Sequence, residues 1–322
     1  MIVTHGLRFE HAAPSAVTIG NFDGLHLGHQ ALLTQLRTLA AAEALRTTVL
    51  TFEPHPREFF APEQAPTRLT SLREKCELLD GLGIGQVHVM EFDASLAAMS
   101  ADAFVERVLV DGLQARQVLI GDDFRYGSKR AGDLAHLQAA GARYGFVSTQ
   151  MPTVLQGAVR ASSTAVREAL AAGDMSRARE LLGRWYGISG RVIRGAQRGR
   201  TIGFPTANVE IRHNRPPCTG VFAVRVHGAG DVPLAGVANL GRKPTVEAHA
   251  PLTLETHLLD WQGDLYNAHL RVDLLHRIRD ERKFESLEAL TRQIAADCAT
   301  ARRFHTGLSA DSVQGCGAQS DS

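Results

Sequence analysis

The chain has 322 residues, 44% hydrophobic and 21% charged, with 35 basic residues against 34 acidic ones and a formal net charge of +1. At roughly 100–200 residues per domain, this length is enough for two domains that each bury a core. The near-zero charge supplies no electrostatic footprint for nucleic acid or an anionic membrane, and no apolar run approaches the ~18 residues a transmembrane helix needs. The N-terminus, MIVTHGLRFEH, lacks the apolar core of a secretion signal. Cys76, Cys218, Cys298 and Cys316 form neither a C-x-x-C pair nor zinc-ligand spacing, which predicts reduced thiols in a cytoplasmic protein.

Residues 1–185 alternate between strand-like and helix-like segments. Ala16–Gly20 reads as a short apolar strand, followed from about Gly28 by a helix with Leu32, Leu33, Leu36 and Leu39 on one face. Thr47–Phe52 is strand-like again. Ser71-Leu72-Arg73-Glu74 is a capping-box pattern opening a helix that ends near Gly81 and Gly83. Val87–Phe92, a helix around Ala101–Val110, the strand Gln117–Gly121 and a helix around Asp133–Tyr144 continue the rhythm. Strands separated by helices of about 10–15 residues imply βαβ units and a parallel, Rossmann-like α/β sheet.

The pattern changes after Trp185-Tyr186. Gly190–Ile193, Val221–Val226, Leu234–Leu240, Leu252–Leu259 and Leu270–Leu275 are short apolar strands between Gly-rich turns, with Gly228–Asp231 as a hairpin turn. This spacing predicts a small antiparallel β-barrel over residues 186–306. One amphipathic helix closes it, N-capped by Ser286, with Leu287, Leu290, Ile294, Cys298, Ala301 and Phe304 as its apolar stripe. Residues 307–322 are small and polar and read as a disordered tail.

The sharpest chemical signal runs from Gly20 to His29, GNFDGLHLGH, between a strand and a helix. Helix N-termini present unpaired N–H groups and a positive dipole end, which suit phosphates. Gly24 and Gly28 let a ligand approach the backbone. His26 and His29, three apart, can face one phosphate chain and donate hydrogen bonds to charge developing on phosphorus or on departing pyrophosphate. The plain alternative is a Gly-rich turn with two exposed histidines; a zinc site lacks a third ligand nearby. The second signal runs from Gly190 to Asn208. Gly195, Gly199 and Gly203 permit tight approach to phosphates. Gly199-Arg200-Thr201 has the wrong spacing, and Arg in place of Lys, for a P-loop. Thr206 and Asn208 share one face of an extended segment, and their oxygens suit Mg²⁺ beside ATP phosphates.

The Gly20–His29 string resembles the H-x-G-H motif of the FMN adenylyltransferase module in bifunctional bacterial FAD synthetases. Phe52–Pro56 (FEPHP), Gly121–Gly127 (GDDFRYG) and Arg160–Arg167 (RASSTAVR) resemble three further motifs of that module, in order. Ala161 stands where the family usually has Ile, a packing change. In this frame Gly20, Phe22, Asp23, Gly24 and Gly28 belong to the ATP site, and Ser162, Ser163 and Thr164 supply hydroxyls and N–H groups there. Arg160 and Arg167 supply charge for its phosphates. Pro54, His55 and Pro56 stiffen a wall for a flat flavin ring, on which Phe60, with Phe59 beside it, could stack. Asp123 and Phe124 follow a strand end, where ligands of open α/β sheets bind. Helix capping, a turn aspartate and core phenylalanines are the plain alternatives.

The second region is similar to the riboflavin kinase module of the same family. G-F-P-T-A-N (Gly203–Asn208) is intact, as are Gly220–Val224, Gly236–Gly241 with Pro244-Thr245, and Glu255-Thr256-His257. The resemblance makes Glu255 the general base, able to take a ribityl hydroxyl proton during attack on a γ-phosphate. It places Arg279 and Phe284, in the run Arg279–Phe284, beside the flavin; a solvated charge run is the alternative. Asn267, and Arg242-Lys243 before Pro244, depart from the common family pattern away from metal and base. The implied reaction is riboflavin plus ATP to FMN plus ADP with Mg²⁺, then FMN plus ATP to FAD plus pyrophosphate, in a chain that needs neither nucleic acid nor membrane. The sequence leaves the oligomeric state open. The alternatives are another H-x-G-H nucleotidyltransferase, which has no reason to carry the second set of motifs, and a flavin-binding regulator with decayed catalysis, at odds with the presence of His26, His29, Asn208 and Glu255.

Overall fold

The structure, a computed structural model, describes residues 1–9, 13–156, 159–194, 203–211, 215–242 and 252–314. The chain divides into two compact units, one of Met1–Pro66 with Thr70–Ser163, the other of Thr67–Leu69 with the chain from Thr164 onward.

The first unit is built on β1 (Ile2–His5), β2 (Ser15–Ile19), β3 (Arg46–Glu53), β4 (Gln86–Glu91), β5 (Ala115–Gly121) and β6 (Val147–Met151). They form one sheet in the order β1-β4-β3-β2-β5-β6, parallel at every pairing. Period-two alternation sends neighbouring residues to opposite faces. Ala16, Val49, Val87 and Leu119 pack on α1 (Leu27–Ala42) and α3 (Leu72–Gly81). Val17, Leu50, Val118 and Ile120 pack with Phe104, Val108 and Leu137 on the other face. A parallel sheet covered on both faces needs continuous apolar strands, and all five residues of β2 are buried. The strand order reverses at β2, whose neighbours β3 and β5 lead to opposite edges. The loops after β2 and β5 therefore flank the crevice where open α/β sheets take ligands.

Local chemistry sets the element ends. Ser71 and Glu74 close the expected capping box on α3, and Asp133 caps α6 (Leu134–Tyr144). Between them lie two short helices, α4 (Ala94–Ala98) and α5 (Ala101–Phe104), following α2 (Pro56–Phe60). The helix expected over Ala101–Val110 is α only to Phe104 and then widens into a π turn over Val105–Val110. The edge strands β1 and β6 carry no period-two signal strong enough to be read from sequence.

The second unit opens with α7 (Ser163–Ala171) and α8 (Met175–Leu182), after a two-strand ribbon of β7 (Leu155–Gln156) and β8 (Val159–Arg160) that closes the first. The strands are β9 (Tyr186–Ile193), β10 (Ala207–Glu210), β11 (Gly220–His227), β12 (Leu234–Arg242), β13 (Leu252–Leu258) and β14 (His269–Arg279). They close an antiparallel barrel in the order β10-β13-β12-β11-β14-β9, with β9 pairing back to β10. Phe222, Val224, Leu240, Leu254 and Val272 fill the interior, and Val166, Leu170, Leu181 and Leu182 of α7 and α8 belong to the same core. The two helices thus pack on the barrel, although their position before residue 185 groups them with the first domain in the sequence. An amphipathic pattern announces a buried face without saying what covers it.

The last helix, α9 (Leu287–Gln314), lays Ile294, Cys298, Ala301 and Phe304 on Val221, Ala223, Val237 and Leu259 on the outer barrel wall. Ser286 caps it through a hydrogen bond from the Ala289 N–H. Leu287 is 57% exposed and stands outside the expected stripe. The helix continues to Gln314, into the segment that composition assigns to a tail; once nucleated, each further turn adds hydrogen bonds at little cost.

Candidate functional site

The loop from Gly20 to His26 joins β2 to α1. Asp23 is buried, and its carboxylate accepts from the Thr70 N–H (3.0 Å) and the Thr70 hydroxyl (3.1 Å). Thr70 Oγ1 in turn accepts from the Gly24 N–H. Asp23 therefore staples the loop to the segment just before α3. Phe22 is 2% exposed and sits against the His29 ring at 5.0 Å. Gly24 has φ +78°, and a Cβ on Gly20 would crowd the Phe22 ring.

His26 is the N-cap of α1: its Nδ1 accepts from the His29 N–H at 3.3 Å. That bond requires an unprotonated Nδ1, so a neutral His26 carries its proton on Nε2. The His26 and His29 rings stack at 3.7 Å. A side chain on Gly28 would meet the Ala161 carbonyl oxygen at 3.0 Å and the His26 ring at 3.1 Å, so these neighbours would have to give by a few tenths of an ångström. Burial, then the neighbouring His26 and Lys75, hold the His29 imidazole well below the usual histidine range. His29 is thus neutral at pH 7, and its buried Nδ1 has no hydrogen-bond partner among the described residues. Two stacked imidazoles, one kept neutral, at a helix N-terminus can donate to phosphate without repelling one another.

On the neighbouring strand, Asp123 and Phe124 lie in the loop after β5. Arg160 bonds both Asp122 (3.0 Å) and Asp123 (3.3 Å), at the surface, and Thr153 donates to Asp122. Phe124 stacks on Tyr126 at 5.6 Å. The Ser163 hydroxyl donates to the Asp23 carbonyl, tying the RASST string to the histidine loop. Thr164 and Arg167 fall in the second unit, where Arg167 donates to the Thr67 carbonyl. Pro54, in a cis bond to Glu53, leads to His55, which caps α2 from Pro56 onward. The His55 ring is thereby engaged as a cap. Phe59 and Phe60 are 39% and 68% exposed and form edge-to-face contacts with Phe92, an aromatic surface next to the loop after β3. The sequence reading missed Thr70, whose partnership with Asp23 spans 47 residues.

In the barrel, Asn208 stands opposite Glu255, and Glu255 opposite Asn239, in the cross-strand register. The flanking Val209, Leu254, Thr256, Ala238 and Leu240 are buried, so the three polar side chains share the outer face as one row across β10, β13 and β12. Asn239 donates to Glu281 at 3.0 Å. A side chain on Gly241, two residues on, would overlap the Glu281 carboxylate. His257 Nδ1 donates to the Pro205 carbonyl at 2.8 Å, and its ring meets Phe204 edge-to-face. This pins the segment that presents Thr206. Gly203 has φ +85°; Gly195 and Gly199 lie outside the described residues. Asn239 was not singled out by the sequence reading, and its register opposite Glu255 is the signal that finds it.

Arg279, expected beside the flavin, ties β14 to the last helix. Its guanidinium grips the buried Asp297 with bonds of 2.8–3.1 Å and also bonds the Asp280 carbonyl. Phe284 lies between the Arg279 and Arg282 guanidinium groups, at 5.5 and 5.0 Å. The Arg279–Asp297 pair anchors α9 to β14. No cluster of three or more His, Cys, Asp or Glu residues arranged to hold a metal occurs among the described residues, nor any helix long and apolar enough to cross a membrane.

Comparison with known proteins matches each unit to a family. Residues 8–165 match the FAD synthetase family model and residues 182–305 the riboflavin kinase family model. The chain is 49% identical over 300 residues to the bifunctional riboflavin kinase/FMN adenylyltransferase of Escherichia coli strain K12, covering 93% of this chain and 96% of that one. It is 47% identical over 298 residues to the Pseudomonas fluorescens protein of the same name, covering 92% and 95%. A crystal structure of a Streptococcus pneumoniae protein described as a macrolide-efflux protein aligns with a TM-score of 0.79 at 27% identity, covering 94% of this chain and 99% of that one. The chain belongs to the bifunctional riboflavin kinase/FMN adenylyltransferase family, transferases that make FMN from riboflavin and FAD from FMN using ATP.

Proposed function

We propose that the barrel holds the kinase site at Thr206, Asn208 and Glu255, and that the parallel-sheet unit holds the adenylyltransferase site around His26 and His29. The observation that carries the kinase assignment is the register that sets Asn208 beside Glu255. A carboxylate there can accept the ribityl hydroxyl proton as the oxygen attacks the γ-phosphorus in line. Asn239 flanks Glu255 on its other side and is itself held by Glu281.

The oxygen donors of Thr206 and Asn208 fit a hard cation. Mg²⁺ takes few protein ligands and completes its shell with water and phosphate, which matches a sparse donor pair. When bound it would neutralise charge on the β- and γ-phosphates. Asn208→Ala should raise the Mg²⁺ concentration needed for half-maximal FMN formation; an unchanged Mg²⁺ dependence would remove Asn208 from the metal site.

Adenylyl transfer makes different demands. The FMN phosphate is already anionic and needs no base to attack the α-phosphorus of ATP. Positioning and stabilisation of the departing pyrophosphate suffice. His26, which carries its proton on Nε2, and neutral His29 supply hydrogen bonds, the N-terminus of α1 supplies dipole, and Arg160 adds charge. The exposed Phe59 and Phe60 offer a stacking surface for the isoalloxazine ring. Among the described residues Cys76, Cys218 and Cys298 are free thiols, which suit a reducing, cytoplasmic setting. Incubating the protein with riboflavin, ATP and Mg²⁺ should give FMN first and FAD after it; FAD only from supplied FMN would remove the kinase assignment.

A further inference from the structure

We propose that Lys75 is a positioning residue for adenylyl transfer, holding the β2–α1 loop through Thr51 and setting positive charge behind it. Lys75 lies on α3, outside every motif that points to the nucleotide site. It is 5% exposed. Lysine is almost never fully buried, because desolvating an ammonium costs several kcal/mol in order of magnitude. Lys75 also sits in the first turn of its helix, where the dipole disfavours a cation. An apolar side chain of similar length would fill the space without either cost. The position therefore calls for a charge.

What that charge faces is the histidine loop. Lys75 Nζ donates to the hydroxyl of Thr51, a fully buried residue of β3, at 3.2 Å. Because that hydroxyl accepts from the ammonium, its own proton is free to point away, and it is directed at the Asn21 carbonyl at 3.4 Å. Asn21 lies between Gly20 and Phe22 in the loop, and its buried side-chain oxygen has no partner among the described residues. The chain Lys75–Thr51–Asn21 thus runs from α3 across the sheet to the backbone of the nucleotide loop. The ammonium charge is also one of the causes that lower the His29 pKa, after burial and His26. A cation held in low dielectric behind a helix N-terminus strengthens the attraction for a polyanion.

This rests on the reading that the loop and its two histidines handle the ATP phosphates. The test uses the full-length protein and compares Lys75→Met, Lys75→Arg, Thr51→Val and the Thr51→Val/Lys75→Met double variant, with His29→Gln alongside. FAD formation from FMN and ATP is measured for kcat and KM, and FMN formation from riboflavin in the same preparations reports the barrel unit. Lys75→Met should lower kcat/KM for ATP about 10–100-fold with FMN formation unchanged. Thr51→Val should lower it less, and the double variant should be no worse than Lys75→Met, since both act on one chain. Lys75→Arg should recover part of the loss.

The pH profile separates this role from a purely structural one. The charged or titratable groups acting on His29 are His26 and Lys75. Losing the positive charge of Lys75 lets His29 protonate at higher pH, so the acid limb of FAD formation should move upward in Lys75→Met. A kcat/KM within twofold of wild type in Lys75→Met would overturn the proposal, as would an unmoved acid limb. If Lys75→Met does not fold, Thr51→Val decides, and wild-type FAD formation there overturns the proposal. Wild-type FAD formation by His29→Gln would instead sink the underlying reading of the loop.

Discussion

Single side chains in the nucleotide loop divide into those that shape it and those that face the ligand. Asp23 shapes it: with the carboxylate removed, the Thr70 N–H and the inward-facing hydroxyl lose their acceptor, at a cost of about 1–3 kcal/mol. Asp23→Ala should therefore cut FAD formation while FMN formation persists; equal loss of both would contradict a local role. On the proposed reading His29 faces the ligand, and it is held neutral, chiefly by burial. Its folded pKa lies below the unfolded value near 6.5, so the unfolded chain binds more protons in that window and stability falls as pH drops through it. One such group contributes at most about 1.4 kcal/mol per pH unit. Denaturation of His29→Gln between pH 7.5 and 5.5 should show a shallower loss of stability than wild type; an identical slope would mean that His29 titrates normally. The histidine pair was legible from the sequence, because the strand-to-helix switch gives its spacing a place. The Asp23 staple was not legible, since its partner is supplied by a distant segment.

Elements obey the same division between local pattern and tertiary contact. Apolar and β-branched runs announced β2, β3 and β5, and helical periodicity with one capping box announced α1 and α3, within a residue or two, because their signals are local. β10 was read only as an extended segment, as four residues carry too little pattern, yet its pairing aligns Asn208 with Glu255. α9 shows what anchors a helix to a barrel. Its apolar stripe covers the outer wall, and Asp297 receives a bidentate grip from Arg279 and a further bond from Gln293 at 2.7 Å. The Asp297 side chain is 3% exposed, so removing it strands a partly buried guanidinium. Asp297→Ala should destabilise the barrel by about 3 kcal/mol. Trp185 and Trp261 both pack on the barrel core, so tryptophan fluorescence during urea unfolding reads this unit. An unchanged midpoint would contradict the anchoring role. The family resemblance places Arg279 beside the flavin, and its grip on Asp297 is a further commitment that no linear motif reveals.

At the scale of the molecule, two folds carry two phosphorus chemistries. The parallel sheet offers a switch-point crevice and a helix N-terminus, which suit a reaction that needs no base. The barrel offers a cross-strand row with a carboxylate between two amides, which suits deprotonation of an alcohol. The order of the units in the chain was legible from the change in periodicity near Trp185. The membership of α7 and α8 was not, because their apolar faces fit either core until the barrel is built. The account requires that each activity survive loss of the other.

The most direct measurement is chromatographic separation of flavins over time from Glu255→Gln, supplied first with riboflavin and then with FMN, each with ATP and Mg²⁺. Removing a general base typically costs 10²–10⁴-fold. The account predicts FMN formation reduced by about that factor and FAD formation from FMN at the wild-type rate. FMN formation at the wild-type rate, or loss of both activities in a folded protein, would contradict it.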